Sequence, residues 1–214
     1  MVNRLTFTQP DKKASSDFVA RFRSGMVASG RPVALQKFRV TTGDKDIADK
    51  IADLFGGEPQ EWETKTTEFL EVMTDVSEVD IILDSVEAVS AKMTLWGRNA
   101  KVRECDGNVQ SDGTACQCPS SMSDRQAAGR QGTACNPDIF IAFTLADAPD
   151  LGRFKFVTGS WQMAKEIGAV QDALHRVGGA ARATLSLQQV EYVTKSGEQR
   201  RYTKPVLKII GAAE

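Results

Sequence analysis

One fourteen-residue pattern occurs twice in this chain, and it constrains the fold more than any other feature. The stretch from Phe38 to Ile51 (FRVTTGDKDIADKI) lies over that from Phe154 to Ile167 (FKFVTGSWQMAKEI) without a gap. Phe38 falls opposite Phe154, Gly43 opposite Gly159, Ala48 opposite Ala164 and Ile51 opposite Ile167. In each copy a strand-like segment gives way at Thr-Gly to apolar residues at helical spacing. Each copy therefore reads as a strand turning through a corner into a helix. A helix with one apolar stripe must lay it against another layer, here a sheet. The expected fold is α+β: two similar halves of antiparallel hairpins plus a helix, related by a pseudo-two-fold axis. The expected boundaries are a flexible arm at 1–17, a first half at 18–105, a Cys-rich insertion loop at 106–137 and a second half at 138–214. All of it forms one compact unit.

Strands are expected at 19–23 and 33–41 around a turn at Ser29-Gly30-Arg31-Pro32, then at 69–73, 79–83, 91–96 and 101–105. The first helix is capped by Asp44 or Asp46 and closed by Gly56-Gly57. After the insertion come strands at 138–145 and 152–157. A helix from Ser160 to Arg176 follows, ending at Gly178-Gly179. A final hairpin pairs 181–194 with 201–210.

The chain has 27 Lys and Arg against 28 Asp and Glu, a net charge of -1. Autonomous grip on duplex DNA calls for a basic face, so it is disfavoured. The local basic spots Arg21-Phe22-Arg23 and Arg200 to Lys204 read as solvated strand faces. There is no run of 18 apolar residues and no apolar leader after Met1. The expectation is a cytoplasmic protein with no membrane partner.

All four cysteines fall within the insertion and its flanks, spaced Cys105-x10-Cys116-x-Cys118-x16-Cys135. A reducing compartment argues against disulfides. Thiolates gathered in a Gly- and Ser-rich loop suit tetrahedral Zn²⁺, and a loop with few apolar residues needs such a brace. The expected metal ligands are Cys105, Cys116, Cys118 and Cys135, holding a structural zinc. The alternative is four unligated thiols, since the spacing is not that of a zinc ribbon.

Catalytic signals are missing. His175 is the sole histidine and sits at a helix C-terminus, where a cation is favoured. Glu58, Glu61, Glu63, Glu68, Glu71, Asp80 and Asp84 read as a solvated surface rather than a converging acid cluster. No phosphate-binding glycine loop occurs. No catalytic and no cofactor-binding residue is expected, and the chain is not read as an enzyme. Trp96 and Trp161 read as core, and Trp62 as a loop anchor or protein contact.

A series of short segments occurs in a recognisable order. It includes Arg21 to Gly25, Arg31 to Leu35, Phe38 to Asp44, Leu54 to Gly57, Glu61 to Thr64, Val79 to Leu83 and Leu95 to Arg98. It continues with Asp150 to Gly152, Phe154 to Phe156, Thr158 to Trp161 and Arg201 to Lys208. The series resembles the recombination directionality factors of actinophages with large serine integrases, the phiC31-type family. It covers nearly all of the chain outside the first 17 residues and the cysteine loop. The resemblance implies a factor that binds a large serine integrase near its coiled-coil and zinc-bearing region. Such a factor activates excision (attL x attR) and inhibits integration (attP x attB) in the bacterial host cell. It implies contact with DNA only indirectly, through the integrase complex. The alternatives are a phage single-stranded-DNA-binding or replication accessory protein, or a metal-dependent enzyme built on the cysteine loop.

Overall fold

Both copies of the repeated pattern fold as a strand that runs through a Thr-Gly corner into a helix. The computed structural model describes residues 17–194 and 196–213, and the expected arm lies outside them except for Asp17. In chain order the elements are β1 (Phe18–Ala28), β2 (Arg31–Thr42), α1 (Lys45–Phe55), β3 (Pro59–Glu61), β4 (Leu70–Met73), β5 (Glu78–Leu83), β6 (Val89–Trp96) and β7 (Lys101–Cys105). Then come α2 (Met122–Arg130), β8 (Asn136–Leu145), β9 (Arg153–Thr158), α3 (Trp161–Val177), β10 (Ala181–Val193) and β11 (Gln199–Ala212). Among the described residues no helix is long and apolar enough to cross a membrane.

The helices form for local reasons. The Asp44 side chain accepts hydrogen bonds from the N–H groups of Asp46 and Ile47, which otherwise lack partners at a helix start. The α1 stripe of Ile47, Ala48 and Ile51 is buried. Ser160 caps α3 in the same way through the Met163 N–H, and Met163, Ile167, Gln171 and Leu174 are buried at intervals of three to four residues. Gly57 ends the first corner unit. A Cβ there would lie 2.2 Å from the Met73 carbonyl oxygen, and φ is +85°, so only glycine fits.

The eleven strands form one sheet in the order β11-β10-β5-β8-β9-β1-β2-β4-β3, with β6 also pairing β8 and β7 pairing β6. The pairings are antiparallel except one. β1 and β9 run parallel, with Phe22 beside Phe156 and Arg21 beside Lys155. This seam joins the two stretches of chain. β5 crosses into the second stretch to lie between β10 and β8. Among the described residues the architecture is thus mixed α+β with a mostly antiparallel sheet, as expected from the pattern, and it has three α-helices where two were expected. The two corner strands have different neighbours: β2 lies between β1 and β4, and β9 between β8 and β1.

The core gathers on the seam. Phe22 meets Phe38, Phe143 and Phe154 edge-to-face, with ring centroids 5.4, 5.5 and 5.7 Å apart. All four rings are fully buried. The repeated positions Phe38 and Phe154, and Ile51 and Ile167, all lie in this core.

Three expectations are corrected. Trp96 is 64% exposed rather than core. It is the last residue of β6, beyond the strand's buried positions, where the register with β7 shifts. A short strand, β3, pairs with β4 where none was expected. The insertion, expected as loop, contains α2. Replacing Phe22 with alanine is expected to destabilise the protein by about 3–5 kcal/mol in equilibrium urea unfolding, because four edge-to-face ring contacts end on it.

Candidate functional site

Three features stand out from the sheet: a thiol cluster at the root of the insertion, a two-stranded arm, and a charged face around Trp62. The thiol cluster is built by chain order. β7 ends on Cys105, and Cys135 immediately precedes β8, so these two residues bracket the insertion. Cys116 and Cys118 are carried back to them by a tight loop. There the N–H of Asp106 bonds to the Val109 carbonyl and that of Cys116 to the Asn108 carbonyl. The structure brings all four sequence-identified cysteines together as free thiols. The Cys105 and Cys116 sulfurs are 3.3 Å apart. The Cys135 thiol contacts those of both Cys118 and Cys105, and Cys118 also contacts Cys116. Among the described residues no group of three or more His, Cys, Asp or Glu is spaced so as to hold a metal ion.

The cluster is electrostatically uneven. Burial pushes the Cys105 thiol well above its ordinary value, and burial also raises Cys135. Burial opposes ionisation of Cys118 too, but there the Cys135 N–H at 3.2 Å, the neighbouring thiols and Arg103 outweigh it. Cys118 is therefore lowered below the usual thiol value. Arg103 Nη2 reaches the Cys118 sulfur at 3.6 Å and donates to the Thr133 carbonyl at 3.0 Å. With Met93 and Ala134, Cys105, Cys118 and Cys135 make a small buried cluster of their own, with Cys116, Leu95, Ala128 and Trp161 against it. Trp161 packs here, beside the thiols, rather than in the main core.

Sequence reasoning missed what holds α2. Its buried residues are Arg125 and Gly129, so it has no apolar stripe to betray it. Arg125 donates to the carbonyls of Pro119 and Gly107, at 2.9 and 2.7 Å, and ties three segments of the insertion together. The usable signal was Ser121, whose hydroxyl caps the helix three residues before Asp124.

The arm is the outer part of the β10–β11 hairpin. β10 pairs with β5 only as far as Ser186, whereas its pairing with β11 continues to Val193 and Gln199. Beyond Leu187, among the described residues, the ribbon has no second sheet neighbour. Tyr192 and Tyr202 meet edge-to-face across it, 5.9 Å apart, and both are exposed. A groove runs between this arm and the insertion, lined by Gln126 and Arg130 of α2, Trp161 and Gln162 of α3, and Tyr192 and Lys204.

The charged face corrects two readings. Arg23, Glu68 and Glu71 are not freely solvated. Glu68 accepts from Arg23 and Thr41, each at 2.8 Å, and pairs with Lys155 at 3.2 Å, while Arg39 pairs with Glu71. The Arg39 guanidinium lies 4.2 Å from the Trp62 ring centre, and the Trp62 indole N–H donates to the Glu68 carbonyl at 2.7 Å. Trp62 is thus the anchor of the loop between β3 and β4. These groups come from β1, β2, β4, β9 and the β3–β4 loop, in part far apart in sequence. Arg200 and Arg201 remain exposed, as expected. His175 is exposed in the last turn of α3.

A two-stranded arm and a side insertion thus project from the sheet and wall one groove. The chain belongs to the Gp3-like, recombination directionality factor-like family, whose sequence model matches residues 8–210. No solved structure matches the chain.

Burial opposes the Glu68 carboxylate, yet Thr41, Lys155 and Arg23 hold its pKa below the ordinary glutamate value. Its contribution is therefore present above the unfolded pKa and lost as pH falls through the folded one. Glu68→Gln is expected to lower stability by about 1–3 kcal/mol near pH 7. The deficit should shrink as pH falls from 7 to below the ordinary glutamate value, because the wild-type carboxylate then protonates too. Urea midpoints of both proteins across that range check it.

Proposed function

We propose that this protein binds a large serine integrase, in the manner of the phiC31-type factors, and reverses its direction. It activates excision between the hybrid attL and attR sites and inhibits integration between attP and attB. The observation that carries this reading is the family match, which runs from residue 8 to 210 and so takes in the sheet, the insertion and the arm. Near-neutral charge supports action through a protein contact rather than an independent grip on duplex DNA. The protein is then a regulator without catalytic groups of its own.

A ligand moves a two-state system only by its differential affinity for the two states. Reversing the preference of a synaptic complex takes on the order of 5.5 kcal/mol of such difference. Contact surfaces of that strength are roughly 1,200–2,000 Å². The arm and the adjoining groove offer exposed aromatic and basic groups, the residue types that dominate binding energy at interfaces.

The direct experiment mixes the purified protein with the integrase of the same phage or prophage and supercoiled substrates carrying either site pair. Excision should appear and integration should fall. No change in either reaction, with active integrase and folded protein, overturns the proposal. Salt-dependent binding to single-stranded oligonucleotides would then point to the replication-accessory alternative. The double variant Tyr192→Ala/Tyr202→Ala is expected to fold normally and weaken integrase binding at least about tenfold in a pull-down or calorimetric titration.

A further inference from the structure

We propose that Cys105, Cys116, Cys118 and Cys135 bind one Zn²⁺ ion as a closed, structural site. The proposal rests on this chain's own geometry and is independent of the integrase reading. Each of the four sulfurs has two sulfur neighbours: Cys105 with Cys116 and Cys135, and Cys118 with Cys116 and Cys135. A tetrahedron of sulfurs has six such pairs, and four of them are already neighbours here. Zinc–sulfur bonds of about 2.3 Å place tetrahedral corners about 3.8 Å apart. The 3.3 Å Cys105–Cys116 pair therefore needs to open by only about 0.5 Å to admit the ion.

The surroundings suit a thiolate-bound metal. The Cys118 N–H points at the Cys116 sulfur at 3.5 Å, and the Cys135 N–H at the Cys118 sulfur at 3.2 Å. Such N–H to sulfur bonds orient the ligands and spread their charge. Four thiolates leave a zinc site with roughly two negative charges, and the Arg103 guanidinium lies against Cys118 to offset part of them. Soft sulfur donors in a tetrahedral set select zinc over magnesium or calcium. All four positions are filled by protein, so no open position is left for substrate.

The location explains the need. Cys105 and Cys135 clamp the two ends of the insertion, and Cys116 and Cys118 fix its middle. The insertion contributes nothing to the main core, and its own buried cluster shares no residue with that core. Its α2 is held by polar contacts of Arg125. One ion at the root therefore orders the wall of the groove that faces the arm.

The experiment is metal analysis of the purified full-length protein with a parallel thiol titration. One zinc per chain is expected, with thiols that react only after a chelator or mercurial displaces it. Cobalt(II) exchanged into the site should show the visible absorption of a tetrahedral tetrathiolate. Cys118→Ser and Cys135→Ser should lose the ion and cleave about tenfold faster between residues 106 and 135 in limited proteolysis. The circular-dichroism signal of the main sheet should persist. Metal-free protein with four freely titrating thiols overturns the proposal, and so does metal-free protein with a Cys105–Cys116 disulfide. Both counts are made on the wild type, so a variant that fails to fold does not blunt the test.

Discussion

The parallel pairing of β1 with β9 is the contact on which the rest of the structure depends. It places Phe22 beside Phe156 and sets Phe22 against the rings of Phe38, Phe143 and Phe154. These residues come from four strands that span most of the chain. Burying them together removes from water the largest apolar groups in the protein, which is what makes joining distant segments favourable. Once the seam forms, β2 and β8 take their places on either side. The helices α1 and α3, which follow the corner strands β2 and β9, bury their stripes against the same core.

Outside the seam, the molecule uses polar chemistry where it lacks apolar mass. On the outer face of β1 and β2, alternation turns Arg23, Arg39 and Thr41 away from the core. There they meet Glu68, Glu71 and Trp62. Partly buried ion pairs of this kind are strongly destabilising to break and only weakly stabilising to make. Their main effect is to fix the β3–β4 loop in one position. The insertion follows the same logic with different groups: Arg125 binds loop carbonyls and the cysteine thiols gather at its root.

The contact proposed with the integrase draws on the arm and the insertion. The arm's base is paired to β5, while among the described residues the outer ribbon has no further sheet neighbour. The insertion rises beside it, so the groove between them joins parts of the chain separated by some sixty residues, from Gln126 to Tyr192. A contact surface assembled this way depends on both elements keeping their relative position.

Much of this could be read from the residues. The two corner units, the Asp44 and Ser160 caps, the glycine stops and the closing hairpin all rest on local rules. Those rules act within one turn or one strand, so sequence alone suffices. The gathering of cysteines in one segment was equally plain, because their spacing limits how far apart they can lie. Tertiary structure decided what local rules do not reach. It made β1 and β9 neighbours, sent β5 into the second stretch, and turned Trp96 outward while drawing Trp161 onto the thiols. It also converted Glu68 and Glu71 from apparent surface acids into partners of Arg23, Lys155 and Arg39. The physical reason is the same in each case: these contacts join residues tens of positions apart, and their energy appears only when the core has brought the strands together.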